Sequence, residues 1–400
     1  MKNLKKFAAL MLAGMMTLSM AACGGNSASA PAATDDGAAT EATADGGDSA
    51  AATEATEATS DMAVAMVTDY GDITDQSFNQ TTYEACKAFG ENNGIDFTYY
   101  KPEGDSTAER VAMIDKAVAD GYNVIVMPGF AFGEAIQEVA DIYPDVKFVA
   151  LDVSEFDLGG STPANVYTAV YQEELPGYMA GYAAVKLGYK KLGYLGGMAV
   201  PAVIRYGYGF VQGADAAAKE LGLSDVEVKY AYGNQFFGDA DITAVMDTWY
   251  GAGTEIVFAA GGSIYESACE AAQKTDGKVI GVDVDQKAII DGKFGDGMTV
   301  TSAMKGLAAT VNTILGAIKD GNWADYAGKT ETLGLVSGTD MSLNYVGLPD
   351  STSFGEGFEK ADYEALVAAM VSGEVTVDND SSSEEPKAET VKVDFQGNIK

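Results

Sequence analysis

Short blocks of uninterrupted apolar residues alternate along this chain with longer stretches whose apolar positions recur every three or four residues. The blocks are too short for helices and lack a polar face, as expected of parallel strands covered on both sides. The longer stretches read as amphipathic helices. The stretch from Val64 to Gln80 shows the grammar best. Val64, Ala65, Met66 and Val67 make an apolar strand, and polar chemistry begins at once with Thr68 and Asp69. Ser77 and Gln80 then have capping-box spacing, which starts a helix near Ser77. Phe78 and Asn79 therefore stand where strand ends face a crevice, the place where open α/β sheets bind ligands.

The unit repeats. Apolar blocks at 97–100, 124–127 and 146–151 follow the first, the last of them ending in Asp152, with helical patterns between them. A second series begins after a Gly/Ala-rich helical pattern over 173–187, with blocks at 192–195, 226–231, 256–260 and 279–282, the last ending in Asp283. Repeated βα units joined by crossover helices predict an α/β architecture of parallel sheets with helices on both faces. Two such series predict two lobes. The later segments are shared out as 62–168 with 284–325 for the first lobe and 169–283 with 326–377 for the second. Residues 378–400 read as a polar, frayed tail.

The chain opens with Lys2, Lys5 and Lys6 ahead of an apolar run from Phe7 to about Met20, which has the form of a secretory signal over residues 1–22. Met20-Ala21-Ala22-Cys23 resembles a bacterial lipobox, which makes Cys23 a lipidation candidate; an ordinary signal peptide beside an unpaired thiol is the plainer alternative. Residues 23–61 are Ala, Thr, Gly, Ser, Asp and Glu with almost nothing large and apolar, the composition of a disordered acidic tether.

Charge and composition then remove function classes. With 25 Lys plus Arg against 59 Asp plus Glu the formal charge is −34, which argues against nucleic acid or an anionic lipid surface as partner of the folded part. Histidine is absent, so hydrolases built on a His base are excluded and the commonest metal ligand is missing. No phosphate-cradling GxxxxGK[ST] or calcium-binding DxDxDG motif occurs, and neither cofactor nor metal is expected. Cys86 and Cys269 fall in helical patterns and read as buried thiols.

Thr68-Asp69-Tyr70-Gly71-Asp72-Ile73-Thr74-Asp75-Gln76-Ser77-Phe78-Asn79 resembles the opening motif of the basic membrane protein family, which includes bacterial purine nucleoside receptor lipoproteins. Pro128-Gly129-Phe130, Gly196-Gly197 with Arg205-Tyr206, Gly281 to Gln286, and Thr301 to Lys305 continue the resemblance in order, over roughly 62–377. It implies a type I periplasmic-binding-protein fold and a lipid-anchored monomer on the outer face of the cell membrane. Such a protein delivers a nucleoside, a purine one on the resemblance to the receptor lipoproteins, to an ABC permease and is not an enzyme. It also implies that Phe78 and Tyr206 stack on the base from opposite lobes, Asn79 and Asp69 contact the base, Asp283 and Lys305 hold the ribose, and backbone at Gly129 and Gly261 approaches the ligand.

The residues read by themselves leave room for alternatives. A carboxylate beside an ammonium suits vicinal hydroxyls, but Asp283 and Lys305 could equally form an exposed ion pair. Phe78 shares a helical stripe with Thr82, Ala85 and Phe89 and could be core. The same fold could also take a sugar or another small polar metabolite.

Overall fold

The computed structural model describes residues 61–400; the signal, Cys23 and the tether of the sequence reading lie outside them, apart from Asp61. In chain order the elements are β1 (Val64–Val67), α1 (Phe78–Asn93), β2 (Phe97–Tyr100), α2 (Thr107–Ala119), β3 (Val124–Pro128), α3 (Gly133–Val139), β4 (Lys147–Leu151) and β5 (Val166–Tyr171). There follow α4 (Glu174–Lys186), β6 (Lys191–Gly196), α5 (Pro201–Leu221), β7 (Glu227–Tyr232), α6 (Ala240–Gly251), β8 (Ile256–Ala260), α7 (Tyr265–Ala272), β9 (Lys278–Asp283) and α8 (Lys287–Phe294). The chain ends with β10 (Thr299–Lys305), α9 (Leu307–Lys319), β11 (Lys329–Leu333), β12 (Val346–Gly347), α10 (Lys360–Ser372) and β13 (Lys392–Asn398).

The strands form two sheets, ordered β11-β5-β4-β3-β1-β2 and β12-β10-β9-β8-β6-β7-β13. All pairings are parallel except the short β10–β12 pair. Helices cover both faces of each sheet, and each lobe has two apolar layers, one on either side of its strands. This is the two-lobed α/β fold that the βα repetition predicts.

The lobe boundaries differ from the expected ones. β10 lies beside β9 in the second sheet, so the 284–325 segment does not belong wholly to the first lobe; α9, against α1, and Trp323 pack on the first-lobe core. Conversely β11 pairs with β5, placing Lys329–Leu333 in the first lobe rather than the second. Apolar periodicity says that a segment is a strand, but not which sheet edge it meets. The chain therefore passes between lobes after Tyr171, after Lys305 and after Leu333.

The tail is also corrected. Its last strand, β13, pairs with β7 through Lys392↔Glu227 to Phe395↔Tyr230 and covers the sheet edge. Asp215 on α5 accepts the backbone N–H groups of Glu389, Thr390 and Val391 at 3.1, 2.6 and 2.8 Å, and Trp249 Nε1 donates to Gln396 at 3.0 Å. The alternating polar residues of β13 disguised it as a tail, because an edge strand needs only one apolar face. Ending the chain after Val377 is expected to lower stability by about 2–4 kcal/mol, through loss of Val391, Val393 and Phe395 packing, and to be read as an earlier urea midpoint.

The contact between α4 and α5 sets the second wall of the cleft. A Cβ at Gly181, Gly209 or Gly213 would lie 2.0 Å from a carbonyl oxygen of the facing helix, that of Phe210, Glu174 or Tyr178 respectively. Glycine at these positions lets the two backbones touch. That approach brings the start of α4, with Glu173 and Glu174, against Arg205 and Tyr206 in the first turns of α5.

Candidate functional site

A cavity of about 440 Å³ lies between the ends of the two sheets. Asp69, Phe78, Asn79, Gly129, Tyr206, Gly261, Asp283 and Lys305 all line it, so the eight residues singled out from the sequence converge on one space. Phe78 is neither an exposed side chain nor a purely core one: it is half-buried, packs on the first-lobe core and borders the cavity.

The first-lobe wall is built by the turn after β1. Asp75, rather than Ser77, caps α1: its carboxylate accepts the N–H groups of Ser77, Asn79 and Gln80 at 2.9, 3.0 and 3.0 Å. Ser77 makes no capping bond, and its hydroxyl instead donates to Asp283 across the cleft at 2.6 Å. Gln80 accepts from the Gln76 N–H at 3.0 Å, so the expected capping box is replaced by an Asp-centred turn that orients Phe78 and Asn79. Burial pushes the Asp75 carboxyl up to about 6 even though those three N–H groups oppose the shift. Asn79 Nδ2 reaches Asp75 at 3.4 Å, while its buried Oδ1 has no partner. Asp69 accepts from the N–H groups of Tyr70 and Gly71 at 2.7 and 2.6 Å, and burial holds its carboxyl above the ordinary range.

Gly129 serves Asp69. Its φ is +125°, and a Cβ there would stand 2.9 Å from Asp69 Oδ2. Gly129→Ala is expected to cost about 1–3 kcal/mol of stability and to weaken ligand binding by displacing Asp69, both measurable by thermal unfolding and calorimetry.

At the floor lies a buried charge cluster. Register pairs Met304 with Asp283 across β10 and β9, so Lys305 emerges beside the end of β9. Its side chain is only 3% exposed, which rules out the exposed-pair reading. The nearest acid is Asp152 at 2.5 Å, followed by Glu173 at 3.3 Å and Asp283 at 3.8 Å. Arg205 Nε donates to Glu173 at 2.7 Å. Burial pulls the Lys305 ammonium down, but Asp152, Glu173 and Asp283 outweigh it and hold the group above its ordinary value. Three carboxylates against two cations leave an acid excess, and burial accordingly pushes Asp152 up to about 6 and raises Asp283. Asp152 and Asp283 both have left-handed backbone, φ +60° and +65°, at the ends of β4 and β9, the strain expected where side chains are aimed into a site.

Tyr206 lines the cavity but is only 2% exposed; its ring meets Phe258 edge-to-face at 5.8 Å, and its hydroxyl lies 3.4 Å from Asp283. Phe236, which the sequence reading missed, is the more open second-lobe ring. It borders the cavity with Phe237 and lies 6.4 Å from Tyr70 across the cleft. A Cβ at Gly197 or Gly261 would meet Phe236 Cδ1 at 2.4 or 2.9 Å, so these glycines make room for that ring. A signal was present: Phe236 and Phe237 stand between the end of a strand and the helix cap Asp239, in the kind of strand-to-helix connection that also holds the turn before Phe78. Glu173 was also missed, being indistinguishable in sequence from an ordinary helix-start acid.

Further bonds join the lobes: Tyr70 Oη to Met198 Sδ at 2.9 Å and Gln286 Nε2 to the Gln76 carbonyl at 3.0 Å. The cavity is thus bounded by groups from both lobes, with aromatic rings at its sides and paired charges beneath.

A family model described as "ABC transporter substrate-binding protein PnrA-like" matches residues 62–343. The chain belongs to this family, Bmp. It is therefore a substrate-binding protein of an ABC transporter and not an enzyme, with a small-molecule ligand and a membrane permease as partners. It is 28% identical over 302 residues to the ABC transporter nucleoside-binding protein BmpA of Lactococcus lactis subsp. cremoris, covering 71% of this chain and 82% of that one. To basic membrane protein B of Borreliella burgdorferi it is 28% identical over 301 residues, covering 73% and 82%. Among solved structures, an ABC transporter solute-binding protein from Aeropyrum pernix superposes with a TM-score of 0.62 at 21% identity, covering 80% of this chain and 88% of that one, a likeness of fold.

Among the described residues no helix is long and apolar enough to cross a membrane, and no cluster of three or more Asp, Glu or Cys could hold a metal ion. Cys86 and Cys269 are buried free thiols.

Proposed function

We propose that this protein binds a nucleoside, a purine one by preference, between its lobes and presents it to its permease. The observation that carries the reading is a single cavity combining open aromatic rings, Phe78 from one lobe and Phe236 from the other, with a buried Asp283–Lys305 pair. A flat heterocycle stacks on such rings at roughly 1–3 kcal/mol per face. A carboxylate and an ammonium suit the vicinal hydroxyls of the attached ribose. Asp69 and the unpartnered Oδ1 of Asn79 supply acceptors for a base edge. Tyr206, on this reading, acts mainly through its enclosed ring, which closes the floor, with its hydroxyl making only a long contact to Asp283 at 3.4 Å. The Lactococcus relative, a nucleoside-binding protein, agrees with this ligand class.

Contacts from both lobes favour the closed arrangement, so ligand binding selects it. Lipidation at Cys23 would tether the monomer to the outer face of the membrane beside the permease. Calorimetry with purine and pyrimidine nucleosides, free ribose and amino acids tests the ligand. A purine nucleoside is expected to bind below about 100 μM, a threshold near −5.5 kcal/mol. Binding of a sugar or an amino acid in the absence of any nucleoside response sinks the reading.

A further inference from the structure

Resting on the nucleoside reading, we propose that the site extends into a sugar-side annex that accepts nucleosides carrying a short zwitterionic amino-acid chain at C5′. A second cavity of about 270 Å³ adjoins the first, and Phe130, Asp152, Val200 and Ala202 face both spaces. These side chains form the neck. Beyond it the annex is bounded by Val170, Pro201, Ser154 and Arg205, with Phe156 at its lip and Ser381 from the C-terminal segment.

The direction of the annex follows from the charge cluster. Of Asp283, Lys305 and Asp152 only Asp152 lines both cavities, while Phe78 and Phe236 line only the first, so the annex opens at the charge cluster rather than between the rings. A ribose held by Asp283 and Lys305 has its exocyclic carbon as the natural point of extension toward Asp152.

The chemistry follows from two unused groups. Asp152 gives one oxygen to Lys305, while its buried Oδ1 has no partner. A buried acceptor of this kind calls for a donor, and an ammonium is the strongest available. Arg205 donates only through Nε, to Glu173, leaving its two terminal nitrogens without a hydrogen-bond partner among the described residues. Their fork geometry suits a carboxylate. One free acid oxygen and one free guanidinium edge around apolar walls match an α-amino acid group on a short thioether. A phosphate at the same carbon meets Asp152 and Asp157 and is disfavoured.

The test uses the full chain in calorimetry with adenosine and inosine and with their 5′-homocysteine thioethers, S-adenosylhomocysteine and S-inosylhomocysteine. The thioether of a nucleoside that binds is expected within about tenfold of its parent. Val170→Phe fills the annex from a position that does not line the main cavity, and Ser154→Phe does so from a second such position should the first variant not fold. Either is expected to weaken the thioether at least about tenfold while the parent changes less than about threefold. A thioether more than tenfold weaker than its parent on the unmodified protein, or one indifferent to the filled annex, overturns the inference. If neither parent binds and the wider nucleoside panel is also silent, the nucleoside reading has failed and the inference falls with it; if another nucleoside binds while neither adenosine, inosine nor their thioethers do, the inference alone is overturned.

Discussion

Lys305→Met is expected to reduce nucleoside affinity about 100-fold or more and to lower unfolding free energy by about 3–5 kcal/mol. The ammonium lies within 4 Å of Asp152, Glu173 and Asp283, and only Arg205 remains to answer those acids once it is gone. Stability suffers because buried carboxylates lose their counter-charge, and affinity suffers because the ribose donor is removed. A pH series separates this from simple loss of packing. Asp152 is raised to about 6, so between about pH 4 and 6 it holds more proton in the folded state than in the unfolded one, and Asp283 is raised in the same direction. Their contribution is therefore present at low pH and is lost as pH rises through the folded value. Without Lys305 the folded values climb further, because its attraction was lowering both. The deficit of the variant, measured by urea unfolding, should be larger near pH 8 than near pH 5. A deficit that stays constant with pH would mean that the cluster is not what the lysine stabilises.

The second large effect concerns the rings. Phe78→Ala and Phe236→Ala are each expected to weaken nucleoside binding by roughly 5- to 150-fold, the range corresponding to about 1–3 kcal/mol per stacked face. Both side chains border the cavity and neither is fully enclosed, so the stability cost should be the smaller effect. Tyr206→Ala should behave in the opposite way. The residue is 2% exposed within the second-lobe core, so truncation leaves a void costing about 3–5 kcal/mol, whatever happens to binding. Tyr206→Phe keeps the ring and isolates the hydroxyl, whose 3.4 Å contact with Asp283 is too long to dominate. Calorimetry and thermal unfolding on the four variants give the ranking directly. Unchanged nucleoside affinity in both phenylalanine variants would rule out base stacking on these rings.

The alternation of apolar blocks with amphipathic stretches settled the α/β class and the two-lobed plan before any coordinates, since a parallel strand buried on both faces and the helix covering it have different periods. It also placed Asp69 and Asp283 at strand ends, and Phe78 and Asn79 in the helix turn facing them, where topology puts a cleft. Only tertiary structure decided which sheet β10 and β11 join, that Lys305 answers Asp152 before Asp283, and that Asp75 rather than Ser77 caps α1. It alone distinguished Tyr206, enclosed against Phe258, from Phe236, nested over glycines at the cavity wall. The difference has one cause: periodicity reports the environment of each residue along its own element. Partner choice across the cleft depends on distances between segments far apart in the chain, and those are set by how the two lobes pack.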